Sequence, residues 1–350
     1  MQNLKLIRSN KTKFGGAENY LSRLSEQLQK SNVLHEIIYS NVPKFLPSWM
    51  RVLLFNYQVC KGKEDNIYFS LERISCPDIY RAGDGVHKVF LSIEKKSKIN
   101  LLHYVYLYLE KKCFLNAKKI IANSNMIKNQ IIDTFGISES KIVVIYNGVK
   151  IEKPDFIKAY FEINKEFVLK KDKNQKIFTY VGSGFKRKGV EDFLKILSKL
   201  KYQKFIAFII GKEKQLNFYK NLARELKLDD KVFFTGPRND VNFFYTVSDI
   251  FLFPTRYEPF SNVVLEAMSY SNVVITTKQN GAHEILDSKF VMESSKDYSI
   301  VEKIDEILNN ETTLNTIKMQ NLKIVKNFSI EENVKQTVKV INEVNNKSNS

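Results

Sequence analysis

The 350-residue chain reads as two α/β domains in series, each a doubly wound parallel sheet. Three observations lead there. Short runs of β-branched and aromatic residues alternate with amphipathic helical stretches, most regularly between residues 177 and 276. The length suits two domains of about 150 residues. A composition that is 43% apolar with 13 Gly and 7 Pro fills two cores and excludes a fibrous, low-complexity or disordered chain.

The second half is the more legible. Ile177–Val181 (IFTYV) reads as a strand closed by GSG. The helix after it, Val190–Leu200, sets Phe193, Leu194, Leu197 and Leu200 on one face and Asp192, Lys195 and Lys199 on the other. Strand Phe205–Ile210, helix Lys214–Leu226, strand Val232–Thr235, helix Val241–Val247, strand Ile250–Pro254, helix Ser261–Ser269 and strand Val273–Thr276 follow. Strands that are apolar throughout, set between helices, belong to a sheet covered on both faces. The first half repeats the style with strand Leu4–Arg8, a Gly-Gly turn, helix Ala17–Gln29, strand Glu36–Tyr39 and strands near Ile67–Ser70, Lys119–Ala122 and Ile142–Tyr146. The polar stretch Glu152–Gln175 separates the halves. It places a first domain at 1–152, a linker or surface excursion at 153–175, a second domain at 176–328, and a terminal helix with a frayed tail at 329–350, its helical pattern spanning Ile330 to Val344.

The formal charge is +17, and residues 1–150 hold 23 basic against 12 acidic side chains, leaving 32 and 26 for the rest. Such an excess favours an anionic partner: nucleic acid, an acidic membrane surface or a phosphorylated small molecule. No helix-turn-helix, RNP or zinc-finger signature is present, so no nucleic-acid partner is expected. Cys60, Cys76 and Cys113 have no metal-binding spacing and are expected to be reduced thiols. The first residues lack the apolar core of a signal peptide. The longest greasy stretch, Leu101–Leu109, falls far short of the roughly 18 residues of a spanning helix, which predicts a cytoplasmic protein whose membrane contact is at most peripheral. Lys44–Arg51, with the only Trp, and the clusters Lys95–Lys98 and Lys111–Lys119 are candidates for that contact. Solvated faces of a Lys- and Asn-rich chain account for the same charge equally well.

Ligands of doubly wound sheets sit beyond the carboxyl ends of strands, and four such loops stand out. Gly15-Gly16-Ala17-Glu18 lets backbone N–H groups approach an anion at a helix N-terminus, although a lone Gly pair more often marks an ordinary turn. Gly182 to Gly189 (GSGFKRKG) has Arg187 where the third Gly of a dinucleotide fingerprint belongs, and Val190 where a P-loop has Lys. Its three successive cations, Lys186, Arg187 and Lys188, suit a diphosphate, the plainer alternative being a solvated basic loop. Glu258 to Glu266 (EPFSNVVLE) makes Ser261 an N-cap with the free N–H groups near Asn262 and Val263 turned to phosphate, while Glu258 and Glu266 accept from sugar hydroxyls. A dipole-favoured Glu258 and a surface Glu266 are the bland alternative. Arg81 to His87 offers Asp84 and His87 as a general base or an acceptor-orienting group, or is a structural turn. The four histidines (His35, His87, His103, His283) are scattered and no HExxH, EF-hand or GxSxG motif occurs, so neither a metal site nor a cofactor is expected.

Taken together, GGAE (15–18), ANS (122–124), IYNGV (145–149), VGSGFKRKGV (181–190), FFTGPRNDV (233–241) and FPTRYEPFSNVVLEAMSYSNVVITT (253–277), the last with an E-x7-E signature, resemble the retaining glycosyltransferases of the GT-B fold, family 4. The wording is closest to the bacterial lipopolysaccharide-core glucosyltransferases. The resemblance implies two Rossmann-like domains facing a cleft, with the terminal helix crossing back to the first. It implies that Arg187 and Lys188 clamp the donor diphosphate, Glu266 binds the ribose diol and Glu258 the transferred sugar, with Gly182, Ser261, Asn262 and Val263 completing the donor site. Arg238 would lie near the base, Gly15 and Gly16 near the donor phosphate and acceptor, and Asp84 or His87 on the acceptor side. The activity implied is retaining, metal-independent transfer of a hexose from a nucleotide diphosphate sugar, UDP-sugar foremost, to a glycan or glycolipid acceptor. Its setting would be lipopolysaccharide or lipooligosaccharide core or other cell-surface glycan synthesis at the anionic cytoplasmic face of the inner membrane. One departure is Ser271, where family members carry Gly. A nucleotide-sugar 2-epimerase of the same fold and a basic nucleic-acid-binding or scaffold protein are the competing readings. The presence of Arg187, Lys188, Glu258 and Glu266 together argues against a scaffold.

Overall fold

Each half of the chain folds around its own six-stranded, wholly parallel sheet. The computed structural model describes residues 3–10, 16–94, 100–167 and 174–348. Two units separate: the chain up to Asn147 together with the segment from Ile330, and Gly148–Ser329.

In the first unit the elements run β1 (Leu4–Ile7), α1 (Gly16–Lys30), β2 (His35–Ile38), α2 (Ser48–Lys61), β3 (Ile67–Ser70), β4 (Ile79–Ala82), α3 (His87–Glu94), α4 (Leu101–Asn116), β5 (Lys119–Ala122), α5 (Asn125–Phe135) and β6 (Ile142–Val144). The sheet order is β2-β1-β3-β4-β5-β6. Ser124 caps α5 by accepting from Ile127 N at 3.2 Å, and Gly136 ends it in the left-handed region. Helices α2 and α4 escaped the reading because apolar residues occupy most of their turns, which erases the 3.6-residue period. Strand β4 escaped it because Arg81 interrupts a run of only four residues, yet Arg81 is buried, 3.8 Å over the Tyr20 ring and donating to Asn147 Oδ1 at 2.6 Å.

The second unit continues with α6 (Phe156–Glu166), β7 (Lys176–Val181), α7 (Phe185–Lys188), α8 (Val190–Lys199), β8 (Phe205–Ile210), α9 (Leu216–Glu225), β9 (Val232–Gly236), α10 (Val241–Val247), β10 (Ile250–Phe253), α11 (Asn262–Ser269), β11 (Val273–Thr277), β12 (Val291–Met292), α12 (Ile300–Leu308) and α13 (Glu311–Val325). Its sheet order is β12-β11-β10-β7-β8-β9. The last helix, α14 (Ile330–Ser348), packs in the first unit. There Val334, Val340, Ile341 and Val344 join Leu21, Leu24 and Leu28 of α1 in one apolar cluster, and Thr337 shares a hydrogen bond with the Tyr20 hydroxyl at 3.0 Å.

Two expectations are corrected. The segment expected as a linker or surface excursion carries a packed helix: Asp155 caps α6, whose Ala159 and Ile163 are buried against Ile177, Phe208 and Phe244, while the Phe167 ring meets Phe208 edge-on at 5.1 Å. Lys158, Glu162, Lys165 and Glu166 lie on the outer face of this amphipathic helix. The cysteines are not all reduced, because the end of α2 and the loop after β3 bring Cys60 and Cys76 to 5.7 Å between Cα atoms and the pair is bonded. Cys113 is free and buried, and burial pushes its thiol upward.

Ser271 sits at φ 61°, the left-handed region in which a side chain is strained and glycine is not. Ser271→Gly is therefore expected to raise stability by up to about 1 kcal/mol. Urea unfolding measures it, and a loss of stability would contradict the strain.

Candidate active site

The second sheet reverses its winding between two neighbours. Strands β8 and β9 are added on one side of β7, while β11 and β12 are added on the far side of β10. Loops leaving the carboxyl ends of β7 and β10 therefore diverge, and a crevice at such a reversal is where doubly wound sheets bind ligands. The segments leaving the two strands here are residues 182–189 and 254–261.

The two loops are pressed together at one point. Gly189 has φ 79°, and a Cβ built on it would stand 1.8 Å from the Pro254 carbonyl oxygen. Backbone and side chain then tie the loops further: Arg256 N donates to the Arg187 carbonyl at 2.9 Å and Thr255 Oγ1 to the same oxygen at 3.3 Å. Held this way, Arg187 Nη1 donates to the Tyr257 carbonyl and to Glu258 Oε2, each at 2.7 Å. Lys188 Nζ lies 3.8 Å from the same carboxylate oxygen, 5.5 Å from the Phe253 ring centroid, and packed over Gly182. The backbone of Glu258 is pinned by its own N–H to the Gln279 carbonyl and by Gly281 N to its carbonyl, both 2.9 Å.

Two cations thus share one carboxylate. Burial pushes the Lys188 ammonium below the ordinary lysine value, against the pull of Glu258, while Arg187 beside it pushes the same way as burial. The cluster carries a surplus of positive charge in a partly dry place.

Helix α11 starts at the crevice. Ser261 is buried and its N–H donates to Asn280 Oδ1 at 3.2 Å, yet its hydroxyl has no hydrogen-bond partner. A buried polar atom left without a partner is uncommon in a finished fold, and here it stands at the first turn of α11. Asn262 is exposed and Val263 half-buried. Glu266, a little over one turn in and half-buried, accepts from the Tyr245 hydroxyl at 3.1 Å. Burial first and the Glu266 carboxylate second hold that phenol well above its usual range, so it remains a donor. Tyr245 and Asn280 were not anticipated from the sequence. Asn280 is legible only as part of the QNGAHE loop, and Tyr245 lies in an aromatic helix without any distinguishing pattern.

Other candidates lie elsewhere. Arg238 follows β9, two strands from β7, and is occupied: it forks onto Asp240 at 2.9 and 2.8 Å and onto Glu166 at 2.7 and 3.0 Å, with the Phe244 ring 5.3 Å away. In the first unit Asp84 is 70% exposed with Arg73 Nη1 at 3.9 Å. His87 is instead buried at the start of α3, its N–H donating to Glu110 Oε1 at 2.6 Å and its Nε2 hydrogen-bonded to His103 Nδ1 at 3.1 Å. Gly15 and the Lys95–Lys98 cluster lie outside the described residues, and Gly16 opens α1. Glu18 of the GGAE segment takes Arg8 Nη2 at 2.8 Å. Among the described residues no group of three or more His, Cys, Asp or Glu is gathered as a metal site.

Residues 161–324 match the family described as glycosyl transferases group 1, and residues 84–153 match glycosyltransferase family 4. The chain carries glycosyltransferase group 1 and family 4 domains, and its fold is GT-B. It is 30% identical over 241 residues to the capsular polysaccharide biosynthesis glycosyltransferase CapM of Staphylococcus aureus, covering 64% of this chain and 61% of CapM. It is 31% identical over 149 residues to the lipopolysaccharide glucosyltransferase WaaG of Escherichia coli strain K12, 41% of this chain and 39% of WaaG. The chain thus spans less than two thirds of the length of these curated relatives. A crystal structure of WaaG superposes over 97% of this chain and 99% of its own at a TM-score of 0.80 and 17% identity. Anabaena HepE in complex with UDP and glucose does so over 98% and 100% at 0.73 and 17%.

Lys188→Met removes a charge that burial disfavours and leaves Glu258 its 2.7 Å partner Arg187. The variant is expected to unfold at the same temperature as the wild type or higher while binding nucleoside diphosphate at least 10-fold more weakly. Because the native pKa of Lys188 is depressed, its burial penalty is complete at low pH and relieved as pH climbs through that pKa toward 10.5. Wild-type stability should therefore rise relative to Lys188→Met over that alkaline interval, and parallel pH curves would refute the assignment.

Proposed function

We propose that this family 4 glycosyltransferase moves a hexose from a nucleotide diphosphate sugar, UDP-sugar foremost, to a glycan or glycolipid acceptor of a cell-surface polysaccharide, retaining the anomeric configuration and needing no metal. The observation that carries the reading is the Arg187–Glu258–Lys188 cluster at the reversal of the second sheet. A departing nucleoside diphosphate builds up negative charge as the bond from the anomeric carbon to phosphate oxygen breaks, and fixed cations in a partly dry crevice stabilise that charge most. Arg187 has five N–H donors, so it keeps Glu258 in place and still reaches a phosphate.

The unpaired Ser261 hydroxyl and the first N–H groups of α11, near Asn262 and Val263, suit the remaining phosphate oxygens. Glu258 retains acceptor capacity for sugar hydroxyls. Glu266, oriented by Tyr245, suits the ribose diol. The acceptor hydroxyl attacks the face from which the diphosphate leaves; the new C–O bond forms there and its proton passes to the released phosphate oxygen. Asp84, open to solvent, is better disposed toward an acceptor than His87, whose ring is engaged with His103. Arg238, Gly15 and Gly16 remain proposed neighbours of the base and the phosphate. UDP leads the donor candidates because HepE, which shares the fold, was captured with it. The names of CapM and WaaG support capsular or lipopolysaccharide synthesis as the setting.

Docking on an anionic inner-membrane surface completes the proposal. Helix α4 exposes Tyr104, Tyr108 and Leu115 beside Lys111 and Lys112, and Phe45 of the 44–51 segment is 85% exposed. No helix of the described residues is long and apolar enough to cross a membrane.

Calorimetry with UDP, GDP, ADP and CMP in the presence of a chelator tests the donor site. One nucleoside diphosphate should bind, and Arg187→Ala/Lys188→Ala should weaken it by about 100-fold or more. Binding of none, or an unaffected double variant, would overturn the assignment.

A further inference from the structure

The first sheet has a reversal of its own. Strand β2 is added on one side of β1 and β3 through β6 on the other, so the loops after β1 and β3 part at their carboxyl ends. A cavity of about 250 Å³ opens there, lined by Ser9 and Asn10 after β1, Ser40 after β2, Glu72 and Arg73 after β3, and Arg51 from the first turn of α2. It is smaller than the roughly 300–1,000 Å³ of drug-sized sites, a size suited to one sugar residue or its substituent.

The charges around it are unevenly satisfied. Glu72 Oε1 accepts from Arg8 Nη1 at 2.8 Å, Ser9 N at 3.0 Å and Ser9 Oγ at 2.7 Å. Arg73 donates to Glu110 Oε1 and the Gly85 carbonyl, both 3.1 Å. Among the described residues Arg51 has no carboxylate partner, and its Nε is buried without a hydrogen-bond partner. A half-buried guanidinium with an unsatisfied donor, among hydroxyls and in a helix's first turn, is a counter-ion awaiting an oxyanion.

We propose that this cavity is an acceptor subsite for an anionic sugar, one carrying a phosphate or a carboxylate, with Arg51 as the recognising cation. The assignment of the anion to the acceptor rests on the transferase reading. The test titrates the full chain with glucose 6-phosphate, glucuronate and glucose, with and without UDP. At least one charged probe is expected to bind in the millimolar range, at least 10-fold more tightly than glucose, without displacement by UDP. The better of the two tells phosphate from carboxylate. Arg51→Gln should reduce that binding to the glucose level and Arg51→Lys should keep part of it, with UDP affinity unchanged in both. Equal binding of the three probes, no binding of either charged probe, displacement by UDP, or an indifferent Arg51→Gln overturns the proposal. Should that variant fail to fold, the charged-against-neutral comparison and the UDP displacement on the wild type still decide. UDP affinity, read in the same titrations, reports failure of the donor reading separately.

Discussion

The close contact of Gly189 with the Pro254 carbonyl is the constraint on which the arrangement at the second sheet's reversal depends. It joins the loops that follow β7 and β10 where no side chain intervenes, and it sets Arg187 where one carbonyl receives two hydrogen bonds from the opposite loop. With the backbone fixed, the guanidinium meets Glu258 and the ammonium of Lys188 is folded back over Gly182. A Cβ at 189 would separate the loops, and the cations would lose the shared carboxylate that orients them. Charged groups held before a ligand arrives cost less to order, and here the placement of Arg187 is made by backbone rather than by flexible side chains.

Both sheets reverse their winding, and at both reversals the protein leaves a positive group incompletely answered. In the second sheet two cations face one carboxylate. In the first, Glu72 Oε1 accepts from Arg8 and Ser9 while Arg51 has no carboxylate partner among the described residues. The formal charge of +17 is thus partly organised, although most of it lies on solvated faces. Elsewhere buried acids are matched: Glu110 takes Arg73 and two backbone N–H groups, and Asp78 takes Lys63 and Lys118.

Much of the second half was legible because its strands are buried on both faces and its helices on one, so each announces itself by its own period. Helices α8 and α10 and strands β7 through β11 lie within a few residues of where the pattern put them. The first half resisted where the pattern is blurred: α4 is greasy on all sides and β4 hides a buried arginine. The polar stretch before β7 was misread because two buried positions, Ala159 and Ile163, carry the whole amphipathic signal of α6.

The sequence by itself determined the α/β class, the order of the elements from β7 to β11, the loop that holds Arg187 and Lys188, and the helix start at Ser261, because these depend on short-range pattern and on glycine positions. Tertiary structure alone decided which groups share space. It separated His87 from Asp84 by burying one and exposing the other, set Arg238 against Asp240 and Glu166, bonded Cys60 to Cys76, and turned Arg51 to line a cavity. Pairings of that kind join residues from 2 to 72 positions apart in the chain, and no local period encodes them.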